Sequence, residues 1–305
     1  RDRSVSRGLG DVYKRQVRYF SFFSDAANFG GSMGLSMVVF SISALYYRNS
    51  WMKLYLLLVA AAACYGMLIS GTRSALAVPF VGYSAFIMMS RNIKMIGAGV
   101  FLIIAAFIFL KFTTIGQGNS IIRRARSAFN TNDPSFQVRL ENQARLRELM
   151  RGKPFGAGLG HGGGKAKVFA PDAPLSQVPT DSWFVMIWVE TGIVGLLLHI
   201  GILLYVLGRG AWLVIFRLRN AQLRGLVTAL VAGISGVVVM SYGNEVLGQI
   251  PTGAIIYMSM AFIFLSPYFD KELEEAGKAQ NTVPRKNLLA VNPRAAALPP
   301  AMAKE

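Results

Sequence analysis

Residues Ser182–Leu207 read SWFVMIWVETGIVGLLLHIGILLYVL, and Glu190 is the one residue among them that is charged at neutral pH. A helix rises about 1.5 Å per residue, so about 20 apolar residues cross the hydrocarbon core of a bilayer. The stretch is long enough for that, and the core of a soluble protein does not need an apolar run of this length. It therefore predicts a membrane-spanning α-helix.

Six further apolar runs divide the rest of the chain. They are Phe29–Tyr47, Leu54–Ser70, Ser74–Ser90, Met95–Leu110, Gly225–Tyr242 and Gly253–Pro267. The chain is 53% hydrophobic and 15% charged, whereas a soluble domain usually carries about 25% charged residues. The pattern predicts an all-α fold: a polytopic transmembrane helical bundle of about seven spans, within a membrane domain of residues 17–268.

The two ends of the chain differ from this bundle. Residues 1–16 have neither an apolar core nor a cleavage site, so they are not a signal peptide. They resemble translated adapter sequence and are interpreted as non-native, with the native protein expected to begin further upstream. Residues 269–305 are rich in Ala, Pro and Lys, which predicts a disordered basic cytoplasmic tail that at most contacts anionic headgroups.

The formal net charge is +17, yet the Lys and Arg residues lie between the apolar runs and in the tail. Membrane lipids, and not nucleic acid, are therefore the expected anionic partner. The positive-inside rule places the Arg217 loop and the tail in the cytoplasm and the 111–181 loop outside. One cysteine, Cys64, and two histidines, His161 and His199, are too few for a thiolate or histidine metal site.

The long loop contains a predicted helix from Ser135 to Arg151, with a start signal at Asp133-Pro134 and a stop at Gly152. Its apolar residues share one arc of a helical wheel, which predicts an amphipathic helix lying on the membrane surface. Arg139 falls within that apolar arc and is the exception to the pattern.

Arg73 lies in Ser70-Gly71-Thr72-Arg73-Ser74, at the outer mouth of two predicted spans. One interpretation is an arginine that extends its charge to the interface from a helix end. The other is an anion site, because guanidinium is permanently charged and binds phosphate through two parallel hydrogen bonds.

The glycine-rich run Gly156–Gly164 matches G-x-G-x-x-G, but a dinucleotide site requires a preceding strand and a following helix. Here a predicted helix precedes and a Pro-containing coil follows, so that interpretation is rejected. The run is either a loop through which backbone approaches a ligand or a loop that is simply flexible. His161, within it, is either an idle exposed histidine or a general base.

Four further ionisable residues lie in or beside the last three spans. Asp181 is expected to cap the helix of Ser182–Leu207 and to face the same outer surface as Arg73. Glu190 and His199 are nine residues apart and are expected on nearly opposite faces of one helix. An arginine is the expected partner of Glu190, and a residue of another helix that of His199. Glu245, at the outer end of a span, is expected to be an ordinary solvated carboxylate.

The order of these motifs resembles that of the O-antigen ligase and polymerase family of bacterial membrane glycosyltransferases. The resemblance covers about residues 20–268. It is carried by Asn28-Phe29-Gly30, Ser70–Ser74, Arg139 in the long loop, Lys153–Gly160, Asp181-Ser182-Trp183 and Val189–Gly195.

Members of that family transfer a glycan from a polyprenyl-diphosphate carrier to an acceptor at the periplasmic face of the inner membrane. The acceptor is a lipid or a glycan: ligases use the lipid A core, and polymerases use another carrier-linked repeat. By this resemblance Arg73 and Arg139 match the arginines proposed to hold the carrier's phosphates. Family members often have a histidine followed by asparagine where this chain has Asp181-Ser182. Either Asp181 or His161 then replaces that histidine, or this branch has a different acceptor.

The expected function is therefore O-antigen ligase-like glycan transfer, with Glu190 in a supporting role and no cofactor. Arginines can stabilise a leaving diphosphate without a metal ion, so metal-independent transfer is expected. The alternatives are a repeat-unit polymerase of the same family, or a transporter or flippase of lipid-linked sugars. The many spans and the intramembrane Glu190 would also suit a transporter, but the sequence shows no clear internal repeat of the kind common in transporters.

Overall fold

The computed structural model describes residues 11–13, 16–18, 21–90, 93–113, 126 and 134–282. Within these residues the helices are α1 (Ala26–Tyr46), α2 (Ser50–Ile69), α3 (Ala77–Met89), α4 (Ile93–Phe112), α5 (Pro134–Leu149), α6 (Gly163–Phe169), α7 (Trp183–Trp212), α8 (Ala221–Met240) and α9 (Thr252–Thr282). Strands β1 (Asp11–Tyr13) and β2 (Gln16–Arg18) form a small antiparallel hairpin, with Val12 opposite Val17. The all-α prediction is confirmed.

Five of the described helices are long and apolar enough to cross a membrane: α1, α2, α7 with the turn that follows it, α8 and α9. The apolar helix Arg73–Met89 is shorter, and α4 coincides with another predicted span. The chain is thus a multi-pass helical membrane protein, while the count of seven spans stays a prediction.

The outer surface of the bundle is apolar. Large hydrophobic side chains that are more than 60% exposed include Leu58, Tyr65, Leu198, Leu204 and Met258. Such a surface is unfavourable in water and favourable against lipid tails. Exposure of these residues therefore supports the membrane assignment independently of helix length.

Helix α8 is the centre of the bundle and packs against α1 and α3. A Cβ atom added to Gly236 of α8 would lie 2.4 Å from the carbonyl oxygen of Val78 in α3. Small residues let membrane helices approach this closely, and van der Waals packing then holds them together. Helix α8 is surrounded so closely that its neighbours bury two-thirds of it.

The helix ends form two opposite faces. The loop face comprises residues 22–28, 70–76, 179–182 and 241–252, and the tail face comprises residues 47–49 and 217–220 together with Asp270. On the tail face, the Asp270 carboxylate accepts hydrogen bonds from the backbone N–H groups of Arg219 and Asn220 at 3.1 and 2.9 Å. These bonds fasten α9 to the start of α8.

Helix α9 continues to Thr282. The prediction that the disordered tail begins at residue 269 is therefore wrong, because the chain remains helical beyond Pro267. Residues 283–305, the rest of that predicted tail, lie outside the described residues, as do residues 1–10 of the segment interpreted as non-native.

Helix α7 is broken at Gly192, which has φ 72° and ψ −172°. The Trp183 indole N–H donates to His199 Nε2 at 3.0 Å, although an unbroken helix would separate these residues by about 24 Å. The chain therefore folds back at Gly192. The prediction of one continuous helix is wrong here, and the partner of His199 is the other half of its own helix.

A glycine-rich segment fills the break in α7. The N–H groups of Ala157 and Gly158 donate to the carbonyl oxygens of Val189 and Glu190 at 2.9 and 3.0 Å. A Cβ atom at Gly192 would lie 1.9 Å from the carbonyl oxygen of Pro154. The motif containing Pro154 and the motif containing Gly192 are thus two halves of one backbone junction.

Helix α5 rests on this junction. Leu146 and Met150 are buried and pack against Leu175, Val178 and Val189. The apolar arc of α5 therefore contacts protein, and not only the membrane surface that the sequence suggested. Because Arg139 shares that arc, it is also directed inward, toward the loop face of the bundle.

We expect Gly192→Ala to lower the free energy of unfolding by about 3 kcal/mol or more, since it combines a strained positive φ with a backbone clash. The measurement is thermal denaturation of the purified chain in detergent. Gly201→Ala is the matched control, because Gly201 lies in the same helix with open space at its Cβ position. We expect it to leave stability unchanged or to raise it by up to about 1 kcal/mol.

Candidate functional site

A cavity of about 230 Å³ opens on the loop face. Its walls come from the start of α1, from α5, from the residues before α7 and from the turn between α8 and α9. The lining residues are Asp25, Ala27, Arg139, Pro179, Thr180, Asp181, Asn244, Glu245 and Gln249. Segments distant in sequence thus converge on one polar site.

Arg139 reaches the cavity from α5 and makes no hydrogen bond or ion pair with another described residue. A Cβ atom added to Gly243 would lie 3.4 Å from Arg139 Nη1 and also 3.4 Å from the Cβ of Ser74, so these two atoms lie close to the same point. Arg139 therefore approaches the residue directly after Arg73. A permanently charged guanidinium without a protein partner is suited to an anionic ligand.

Arg73 begins a 3₁₀ turn, Arg73–Leu76, on the same face. It is half-buried and is not itself a cavity-lining residue. The turn is held in place because the Asn244 side-chain amide donates to the Ser74 hydroxyl. The two predicted arginines thus lie on one face of the bundle, and the contacts of Ser74 connect their surroundings.

Asp181 lines the cavity beside Arg139. Its φ is +51°, in the left-handed region that non-glycine residues rarely adopt. The N-cap of α7 is Ser182, without a side-chain bond, so the prediction that Asp181 caps this helix is wrong. The unusual backbone directs the carboxylate toward α5 instead, where the Asn142 amide donates to Oδ2 at 3.2 Å.

Two further carboxylates line this cavity: Asp25, which sequence reasoning missed, and Glu245, to which it gave no role. Asp25 caps α1 by accepting from the N–H groups of Ala27 and Asn28 at 2.7 and 2.8 Å. Glu245 is half-buried and accepts a hydrogen bond from the Thr180 hydroxyl, so it is not an ordinary solvated carboxylate. Asp25 and Glu245 share this cavity because successive helices alternate in direction, which brings the start of α1 and the end of α8 to the same face.

The carboxylates do not gather into a metal site in the described part of the chain. No group of three or more His, Cys, Asp or Glu side chains there is arranged to hold an ion. Instead, the three carboxylates are distributed around the cavity, with Arg139 among them. This arrangement can accept hydrogen bonds from hydroxyl groups and can bind an anion at Arg139.

His161 and Glu190 lie outside this cavity. His161 is exposed and is not a lining residue. Glu190 accepts a hydrogen bond from the N–H of Gly160 at 3.0 Å. Among the described residues this backbone group, and not an arginine, is the partner of Glu190, because the fold-back at Gly192 places Glu190 under the glycine run. The role of Glu190 is therefore to hold that run.

A family model described as O-antigen ligase matches residues 54–200. The O-antigen polymerase of Salmonella muenchen is 26% identical over 193 residues, which is 63% of this chain and 47% of that protein.

Both comparisons support a relationship to the O-antigen ligase and polymerase family. The chain spans about half the length of the Salmonella relative. No solved structure matches the chain.

The family match contains Arg73, Arg139 and Asp181, together with both halves of the backbone junction. Asp25 and Glu245 lie outside the matched range, one before it and one after it in the sequence. The cavity is thus lined both by residues within the matched range and by residues that flank it.

We expect Gly163→Ala to lower the free energy of unfolding by about 1 kcal/mol more than Gly160→Ala does. Both glycines have positive φ, 71° and 81°, so both variants share the backbone strain. A Cβ atom at Gly163 would lie 2.9 Å from Oγ1 of Thr180, whereas Gly160 has open space. Thermal denaturation in detergent measures the difference. Equal losses would show that the glycine run does not pack against the cavity wall.

Proposed function

We propose that the chain transfers a glycan from a polyprenyl-diphosphate carrier to a hydroxyl group of an acceptor at the loop face. We assign this face to the periplasmic side of a bacterial inner membrane. The observation that carries the proposal is the Arg139 guanidinium, which lines a polar cavity without a partner among the described residues. The similarity to O-antigen ligases and to an O-antigen polymerase suggests the kind of reaction.

In the proposed step, the acceptor oxygen attacks the anomeric carbon of the carrier-linked sugar. A C–O bond to the acceptor forms, and the bond from the anomeric carbon to the diphosphate oxygen breaks. The electron pair leaves with the diphosphate, whose developing charge Arg139 and Arg73 stabilise. The hydroxyl proton passes to a carboxylate. No metal is required in this scheme, because the arginines neutralise the leaving group.

We propose Asp181 as the base. It lines the same cavity as Arg139, and Asn142 orients its carboxylate from the next turn of α5. A residue held in left-handed backbone is a reason to suspect function, since the surrounding structure must maintain the strain. His161, the other candidate, is exposed and does not line the cavity.

The polymerase reaction is favoured over the ligase reaction by one observation, the similarity to a protein named O-antigen polymerase. In this form the acceptor is a second carrier-linked glycan, and the product is a longer chain on one carrier. A glycan-transfer assay separates the two reactions. Lengthening of the carrier-linked glycan indicates a polymerase, whereas attachment to a lipid A core indicates a ligase.

We expect Arg139→Ala to reduce release of polyprenyl diphosphate by about 100-fold, the scale of one lost charge-stabilising group. The assay uses a polyprenyl-diphosphate-linked oligosaccharide in proteoliposomes. Arg73→Ala should abolish transfer while leaving expression intact. Arg145→Ala is the matched control on the exposed side of the same helix, and its activity should remain within about twofold of wild type. Full activity of Arg139→Ala would contradict the proposed site.

We expect Asp181→Asn to lower kcat by about 100-fold or more, because it removes the proton acceptor while keeping the shape of the side chain. Donor binding should change little. The comparison variant is His161→Ala, measured in the same proteoliposomes. A large loss in His161→Ala together with normal turnover in Asp181→Asn would assign the base to the glycine run instead.

A further inference from the structure

The loop face contains a chain of polar side chains that the proposed transfer does not use. It runs from Thr252 at the start of α9 through Asn28 of α1 and Ser24 to Gln249, which lines the cavity. We call these four residues the amide relay. Asn28 is completely buried, so its hydrogen-bonding groups have no access to water and need these partners.

The partners of Asn28 determine its orientation. Its Nδ2 donates to the carbonyl oxygen of Ile250 at 2.9 Å and to the Ser24 hydroxyl at 3.0 Å. A carbonyl can only accept, so the nitrogen and not the oxygen must face Ile250. The Asn28 Oδ1 accepts from the Thr252 hydroxyl. The three hydrogen bonds are mutually consistent, and flipping the amide would break the one to Ile250.

This orientation passes along the relay to Gln249. The Ser24 hydroxyl accepts from Asn28 Nδ2 and donates its single hydrogen to Gln249 Oε1 at 3.0 Å. The Gln249 oxygen is therefore occupied, and its –NH₂ group is the polar group that it presents to the cavity. That group has no partner among the described residues.

The surroundings of Gln249 select the chemistry of its ligand. It is linked to Ser24, the neighbour of Asp25, so an N–H donor and a carboxylate acceptor form one edge of the cavity. An edge that combines this N–H donor with the Asp25 carboxylate suits a neutral group that has both donors and acceptors. Sugar hydroxyls have this character, whereas Arg139, beside Gly243, suits the diphosphate.

We infer that Gln249 binds the sugar part of the carrier-linked donor, as an N–H donor fixed by the amide relay. This inference rests on the proposed function and deepens it. The cavity then has two edges with separate roles, one for the charged leaving group and one for the neutral glycan. Gln249 acts in substrate recognition and takes no part in bond cleavage.

The test compares a sugar-linked donor with undecaprenyl diphosphate alone. Gln249→Met keeps the side-chain length and introduces no charge. We expect it to raise KM for the undecaprenyl-diphosphate-linked oligosaccharide about tenfold, the scale of one lost hydrogen bond to a desolvated group. The kcat should stay within about twofold, and binding of undecaprenyl diphosphate, measured by native mass spectrometry, should be unchanged. Gln222→Met, on the exposed tail face, is the matched control.

Ser24 provides a second variant that does not alter the cavity wall. Ser24→Ala cuts the relay and frees the Gln249 amide to rotate, so KM should rise several-fold, and Ser24→Thr should restore it. An unchanged KM in Gln249→Met, or an equal loss of undecaprenyl diphosphate binding, would overturn the inference while the proposed function stands. Failure of the wild-type chain to release undecaprenyl diphosphate would overturn the proposed function and the inference with it.

Discussion

The site depends on one backbone junction, in which Pro154–Gly158 fills the break in α7 at Gly192. Hydrogen bonds from Ala157 and Gly158 to Val189 and Glu190 close the gap that the broken helix leaves. Unpaired backbone groups are costly near a bilayer, so a broken helix of this kind requires such partners. The junction places α5 over the loop face, because Leu146 packs on Val189. Arg139 and Asn142 reach the cavity from that helix.

A membrane bundle normally keeps its charged groups at its ends, and this chain concentrates several of them at one end. The loop face contains three carboxylates, Asp25, Asp181 and Glu245, around the Arg139 guanidinium. On the tail face, the Asp270 carboxylate holds α9 against the backbone of Arg219 and Asn220, directly before α8. This carboxylate of the tail face thus serves stability, whereas the loop face retains the Arg139 guanidinium and the Gln249 –NH₂ group, neither of which has a partner in the described part of the chain.

Much of the fold could be predicted from sequence, because apolar runs and the amphipathic pattern of α5 are local signals. The break at Gly192 could not, since its residues continue an apolar run and only the docking of Pro154 reveals the fold-back. The predicted partners of His199 and Glu190 were wrong because this fold-back brings other groups next to them. Asp181 was expected as a cap, but its left-handed backbone depends on tertiary contacts. The sequence did not reveal that Glu245 is half-buried and bonded, because its partner Thr180 is distant in sequence.

The central claim is that Arg139 and Arg73 together bind a diphosphate at the loop face. A cryo-EM structure of the chain with undecaprenyl diphosphate in a nanodisc tests this most directly. The account predicts density for the diphosphate in the cavity, with its oxygens about 3 Å from both guanidinium groups. Diphosphate density at the tail face, or at the loop face but out of reach of Arg139, would contradict it.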